Sequence, residues 1–269
     1  MLKTGKEHVE SLRDGRVVYL GSARVDDVTT HPAFRHAVRT VARLYDVKAD
    51  PAQRETMTYE EDGGRHSIYY LRPQTRDNLQ RRTLGHRKIA DLMYGMFGRS
   101  PDHVASFVTG MAMKVDELTP PHGHPDHLLA YYRHIRDYDV YTAYAVVPPQ
   151  AARDPAFYQR QNLPVPTLRV VREGDDGVVI SGMKMLATGA VLANEIWIGT
   201  VIPLAPDQHR EAITCAVPCN APGLTYEKFY AGAPFIVRGH AYRETPWEEF
   251  HQIVDDLMAS YSAPGDEEG

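Results

Sequence analysis

Cysteine is scarce: two among 269 residues, Cys215 and Cys219, in the string ITCAVPCNAPG. Two thiols cannot staple so long a chain, nor complete a structural zinc or iron–sulfur site by themselves. A disulfide scaffold is excluded, and a reducing cytoplasm is the expected compartment. No apolar run approaches the roughly 20 residues of a membrane span, and the opening MLKTGKEHVESLRDGR lacks the pattern of a signal peptide. Positive charge is not in excess: the net charge is -5, which gives no support to a nucleic-acid or anionic-membrane partner. Phosphate loops are missing, with neither G-x-G-x-x-G after a strand nor G-x-x-x-x-G-K-[ST], and so is a G-x-S-x-G nucleophile elbow. What is present is a globular composition, 43% hydrophobic and 24% charged, with material for one large domain or two smaller ones.

The hydrophobic period changes along the chain. From Pro32 to about His134 apolar residues recur at helical spacing. HPAFRHAVRTVARLYDV sets Phe34, Val38, Val41, Ala42 and Tyr45 on one stripe, entered through Thr30 and Pro32. QTRDNLQRRTLGHRKIADLMYGMFG predicts a second helix with Leu79, Leu84, Ile89, Leu92, Met93 and Met96 facing in. SPDHVASFVTGMAMKV predicts a third, and HPDHLLAYYRHIRDYD a fourth, capped by Asp126. Then come short β-branched runs: VYTAYAVV, PTLRVVREGDDGVVISGMKMLATGAV, NEIWIGTVIPL and EAITCAVPC, with EGDDG (173–177) placed as a hairpin turn. The expected fold class is α+β, a helical domain over 1–139 followed by an antiparallel β domain over 140–224. Residues 225–269 read as a loop, an amphipathic helix from about Pro246 to Tyr261 with Thr245 and Glu248 as its capping box, and a disordered tail.

Several constellations could carry chemistry. His122, His124, Asp126 and His127 form H-x-H-x-D-H, a spacing used by zinc hydrolases. MKVDELTPP precedes it where an apolar strand would be needed, so a Pro-rich loop entering a helix is the competing reading. Cys215 and Cys219 suit buried structural thiols better than redox chemistry. In MKMLATGAVLANEIWIG, Thr188 and Gly189 interrupt an apolar strand pair, which is either ordinary strand composition or a place of close ligand approach. TAYAVVPPQAAR ends a strand on Pro148-Pro149, then Gln150 and Arg153: a surface stop, or an edge wrapping a planar or phosphate-bearing cofactor. FGRSPDH has the composition of a turn between two helices, yet flanks it with Arg99 and His103.

Together these strings resemble the flavin-dependent oxygenase component of 4-hydroxyphenylacetate 3-monooxygenase and its relatives acting on chlorophenols and other phenols. SLRDGRVVYLGSARVDDVTTHPAFRHAV (11–38) is similar to that family's N-terminal signature, and GRSPDH, VVPPQAAR, VVISGMKMLATGAV and APGL follow in the family's order. The resemblance implies an acyl-CoA-dehydrogenase-like architecture and FAD, used as FADH2 supplied by a separate flavin reductase. It also implies ortho-hydroxylation of a phenol with O2, and a homo-oligomer if the missing bundle is dispensable. The family's G-R-[ST]-P-D-Y motif, whose Arg and Tyr hold the phenolic oxygen, maps onto Arg99 and His103. Its T-H-A-I-V-N-P-Q-x-D-R strand puts Tyr144 where the family has His, so the Tyr and His of the pattern are exchanged. The same strand implies flavin contacts from Tyr144, Ala145, Val146, Val147, Gln150, Ala151, Ala152 and Arg153, and the A-T motif implies another from Thr188. Family members run to nearly twice this length, and here NAPGL passes directly into TYEKFYAGAPFIVRGHAYR, a segment that resembles the family's extreme C-terminus. A shortened, non-catalytic homologue is therefore the alternative reading, and a zinc hydrolase through His122, His124, Asp126 and His127 the third. The family's iron–sulfur dehydratase branch is disfavoured by the two available cysteines.

Overall fold

The computed structural model describes residues 2–118, 124–148, 155–160, 162, 167–174, 177–185, 187–201 and 203–228. The chain opens with α1 (Gly5–Ser11), which begins on a full capping box: Thr4 accepts from the backbone of Glu7 while the Glu7 carboxylate accepts from Thr4 N–H at 2.7 Å. β1 (Val17–Leu20) and β2 (Ala23–Val25) form an antiparallel pair turned at Gly21, φ 63°. α2 (Arg35–Ala49) follows and buries Val38, Val41, Leu44 and Tyr45.

The next stretch adds a hairpin inside the mainly helical segment expected over 1–139. After the single turn α3 (Arg54–Met57), β3 (Thr58–Glu61) and β4 (Gly64–Ser67) make a tight hairpin through Asp62 (φ 52°) and Gly63 (φ 73°). α4 (Arg76–Leu92) then starts on Thr75, whose hydroxyl accepts from Asn78 N–H at 3.2 Å. Ile89 and Met93 are buried as expected, but Leu79, Leu84 and Met96 are 56%, 56% and 48% exposed. The inward stripe is rotated because α4 approaches the Ile68 turn through Gly85, where an added Cβ would lie 2.3 Å from Ile68 Cγ2. α5 (Asp102–Met113) and α6 (Pro125–Asp137) match the third and fourth expected helices, with Asp126 inside the first turn of α6 rather than at its cap.

β5 (Thr142–Ala145) opens the β-rich part, followed by α7 (Pro155–Arg160) and the hairpin β6 (Arg169–Gly174)–β7 (Gly177–Ser181). β8 (Glu195–Ile198) pairs antiparallel with β9 (Cys215–Pro218) but parallel with β5, so that sheet is mixed rather than purely antiparallel. Where a strand was expected through Thr188, the chain makes a turn at Gly189 (φ 82°) and a short 3-10 helix, Ala190–Leu192. β10 (Thr225–Lys228) returns to lie parallel beside β1. The expected helix from Pro246 and the tail beyond it lie outside the described residues.

Strand alternation gives the β5–β8 sheet two faces. Ala143, Ala145, Ile196 and Ile198 join a core with Val18, Val41, Tyr45 and Tyr141. Tyr144 and its register partner Trp197 face the opposite way, toward α5 and a second core built on Ile68, Tyr70, Ile89, Val104, Val108 and Ile135. α2 serves both, giving Val41 and Tyr45 to the first and Leu44 to the second. The cores are pinned where they meet by a buried ion pair, Lys48 Nζ to Asp139 Oδ1 at 2.7 Å, with Ser67 and Tyr69 hydroxyls donating to the same oxygen. Among the described residues no helix is long and apolar enough to cross a membrane.

Candidate active site

The corner between α4 and α5 is held from three directions. The Tyr141 hydroxyl donates to the carbonyl of Arg99 at 2.6 Å, the Ser100 hydroxyl to Asp102 Oδ1 at 2.5 Å, and His86 Nδ1 lies 2.6 Å from Asp102 Oδ2. Burial opposes ionisation of Asp102, but the hydrogen bonds from His86 and Ser100 outweigh it and hold the carboxyl below its ordinary range. The corner is thus a rigid, charged turn.

Arg99 and His103 project from either side of it. Arg99 Nη1 donates to His103 Nε2 at 3.4 Å, so the ring carries its proton on Nδ1. Burial first, and then the Arg99 charge, push the His103 imidazole below its ordinary pKa, leaving it neutral beside a fixed cation. The Arg99 guanidinium stands 5.8 Å from the Tyr144 ring centroid, within cation–π range, and the His103 and Tyr144 rings are 6.2 Å apart. Phe107, one turn beyond His103 on α5, packs on Tyr144 at 5.2 Å and on Trp197 at 5.8 Å. The three residues named from sequence for the phenol site lie in one aromatic-walled cluster.

The second group of residues adjoins it. Beyond β5, Val147 accepts from Met185 N–H at 2.8 Å, which brings Met185, three residues before Thr188, against Val147. Ala145 and Val146 are buried; the Ala145 side chain lies in the first core and its carbonyl accepts from Gly199 N–H at 3.2 Å. Thr188 is half-buried in its turn. Gln150, Ala151, Ala152 and Arg153 lie outside the described residues, as does His122. His124 and His127 stack at 5.0 Å, and among the described residues no group of three or more His, Cys, Asp or Glu could hold a metal ion. Cys219 is fully buried with its thiol pushed up to about 11 by that burial, and Cys215 is raised by the same cause; both are protonated, unreactive thiols.

Sequence reasoning missed four residues. Phe107 was legible as i+4 from His103 on one helix face. Trp197 follows from strand pairing, which has no local signal. Gly199 leaves room for Tyr144, since a Cβ there would lie 2.9 Å from the Tyr144 hydroxyl. Lys184 donates to the carbonyls of Gly199 at 2.8 Å and Val146 at 3.2 Å, clamping the ends of β8 and β5 together.

A family model described as the N-terminal part of 4-hydroxyphenylacetate 3-hydroxylase matches residues 4–242. The chain belongs to this family. It is 38% identical over 230 residues to the 4-hydroxyphenylacetate 3-monooxygenase oxygenase component of Thermus thermophilus, covering 84% of this chain and 46% of that one. It is 36% identical over 227 residues to the oxygenase component of a Rhodococcus 4-nitrophenol 2-monooxygenase, covering 82% and 42%. The solved oxygenase component of 4-hydroxyphenylacetate 3-monooxygenase, complexed with FAD and 4-hydroxyphenylacetate, superposes with a TM-score of 0.75 at 36% identity, over 84% of this chain and 46% of that one. The α+β architecture is therefore that of the 4-hydroxyphenylacetate 3-hydroxylase oxygenases. The chain spans about half the length of the relatives it matches.

Proposed function

We propose that this chain carries the phenol-binding centre of a reduced-flavin-dependent monooxygenase that hydroxylates a phenol ortho to its hydroxyl with O2. The reduced FAD would come from a separate reductase. One observation supports the reading above others: Arg99, His103 and Tyr144, distant in sequence, converge on one site. What supports a flavin beside that cluster is the Val147–Met185 bridge, which lays the chain leading toward Thr188 against the end of the Tyr144–Val147 stretch. When bound, the flavin supplies the activation of oxygen.

The chain's own residues prepare the phenol. Arg99 stabilises negative charge on the phenolic oxygen, raising electron density at the ortho carbon. His103, neutral with its proton on Nδ1, takes the phenol proton at Nε2 once Arg99 transfers its hydrogen bond from that nitrogen to the phenolic oxygen. Tyr144 donates a hydrogen bond from its hydroxyl and, with Phe107 and Trp197, excludes water from the ring. Which phenol is taken depends on the rest of the pocket.

The second reading, a homologue that binds no flavin alone, is favoured by the chain's half length. Anaerobic equilibrium dialysis against reduced FAD, then admission of oxygen with a phenol present and chromatography of the products, separates the two. Bound flavin and an ortho-dihydroxylated product eliminate the non-catalytic reading; the absence of flavin binding eliminates the catalytic one. Elemental analysis tests the zinc alternative, which needs about one or two metal ions per chain.

A further inference from the structure

A line of side chains runs between α4 and α5 behind the Arg99 corner. Arg82 Nη2 donates to Ser106 Oγ at 3.1 Å, Ser106 Oγ lies 3.4 Å from His86 Nε2, His86 Nδ1 lies 2.6 Å from Asp102 Oδ2, and Ser100 donates to Asp102 Oδ1 at 2.5 Å. Asp102 is ionised and accepts from both neighbours, so His86 donates to it from Nδ1. Ser106 Oγ accepts from Arg82, whose other terminal nitrogen is anchored on the Leu71 carbonyl at 2.7 Å. Asp102 is held at both carboxylate oxygens and Arg82 at both terminal nitrogens, which makes the line stiff.

The order Ser106–His86–Asp102 matches that of a hydrolytic triad, but Ser106 sits within α5, where backbone N–H groups are already bonded along the helix. The α5 backbone around Ser106 therefore offers no free N–H for an oxyanion, and hydrolysis does not follow from the order alone. The line ends instead on the turn from which Arg99 and His103 project. His103 N–H donates to Ser100 O at 3.0 Å, so any shift of Ser100 is passed to His103.

We propose that His86 is a positioning residue: through Asp102 and Ser100 it sets the placement of Arg99 and His103 relative to Tyr144. The consequence for ligand binding rests on the phenol reading above, whereas the positioning itself does not. The charged and titratable groups facing His86 are Arg82 from its own helix and Asp102 from α5. Those facing His103 are Arg99, Asp102 and Tyr144.

The test compares His86→Leu, which removes the donor, with His86→Asn, whose amide nitrogen can reach the place of Nδ1. The His103 imidazole is titrated by NMR in the full chain, assigned with His103→Gln, and 4-nitrophenol binding is followed by its absorbance. In His86→Leu the His103 midpoint should rise by about 0.5–1 pH unit as Arg99 and burial act on it less. Affinity for 4-nitrophenol should fall about tenfold, short of the ~100-fold cost of an ångström-scale misplacement. His86→Asn should recover at least half of both changes. A folded His86→Leu protein with an unmoved His103 titration overturns the proposal. If that variant unfolds, Ser106→Ala removes only the hydroxyl behind His86, and an unmoved titration there overturns it equally. Undiminished 4-nitrophenol binding in Arg99→Ala would dispose of the phenol reading, and the His103 titration would still decide the role of His86.

Discussion

At the scale of single residues, the site depends on what has been left out as much as on what is present. Gly199 stands beside Tyr144, where a methyl group would press on its hydroxyl and Cε2, at 2.9 and 3.0 Å. Gly199→Ala should therefore displace Tyr144 and destabilise the fold by about 1–3 kcal/mol, and less in a Tyr144→Phe background. A double-mutant cycle from urea denaturation reads the coupling. If Arg99 holds the phenol by its charge, as proposed above, Arg99→Ala should weaken phenol binding by about 1.5–3 kcal/mol, roughly ten- to a hundredfold, with little loss of thermal stability. Arg99→Lys should restore only part of this, since an ammonium lacks the planar fork. Titration with 4-nitrophenol measures both.

At the scale of elements, α4 shows why a helical period does not by itself give an inward face. Its apolar residues do not mark one stripe; Gly85 and the Ile68 turn decide which side is buried. Gly85→Ala, despite the helix-forming gain of nearly 1 kcal/mol, should lower stability by about 1–2 kcal/mol, and Ile68→Ala should relieve the clash while opening a cavity of its own. Guanidinium denaturation of the single and double variants checks this. The four long helices, the β6–β7 hairpin and the change to strands near residue 140 were legible because each is encoded by local periodicity or turn chemistry. The β3–β4 hairpin was not read from the sequence: Asp62-Gly63 carries a turn signal, but its four-residue strands are too short to break the helical period around them. Arg99 and His103 could be paired from their spacing. Tyr144, Trp197 and Gly199 join them only through strand register, and His86 only through the packing of two helices, neither of which leaves a trace in a local window.

At the scale of the whole molecule, the buried polar groups set the response to acid. His8 is fully buried, stacked on Tyr45 at 4.4 Å, with no hydrogen-bond partner for either ring nitrogen among the described residues. Burial, reinforced by the charges of Lys3 and Lys48, lowers its pKa to about 3 from the ordinary 6.5. The unfolded chain thus binds more protons between those values, and stability should fall as pH drops through that window, with Asp139 adding to the loss below the ordinary carboxylate range. His8→Phe should flatten the fall between pH 6.5 and 4 while leaving the neutral-pH midpoint within about 1 kcal/mol of the parent, as urea titrations across pH would read. The pairing of β1 with β10 has a mechanical consequence. Because these strands run parallel, tension applied through the chain before Val17 and after Lys228 pulls them in opposite directions along their length. The four-residue ladder is then loaded in shear, all its bonds together, whereas a hairpin such as β6–β7, pulled from its open end, would peel one bond at a time. The clasp formed by segments some two hundred residues apart carries that load before any other part of the sheet, and residues 17–228 would extend only after it slips.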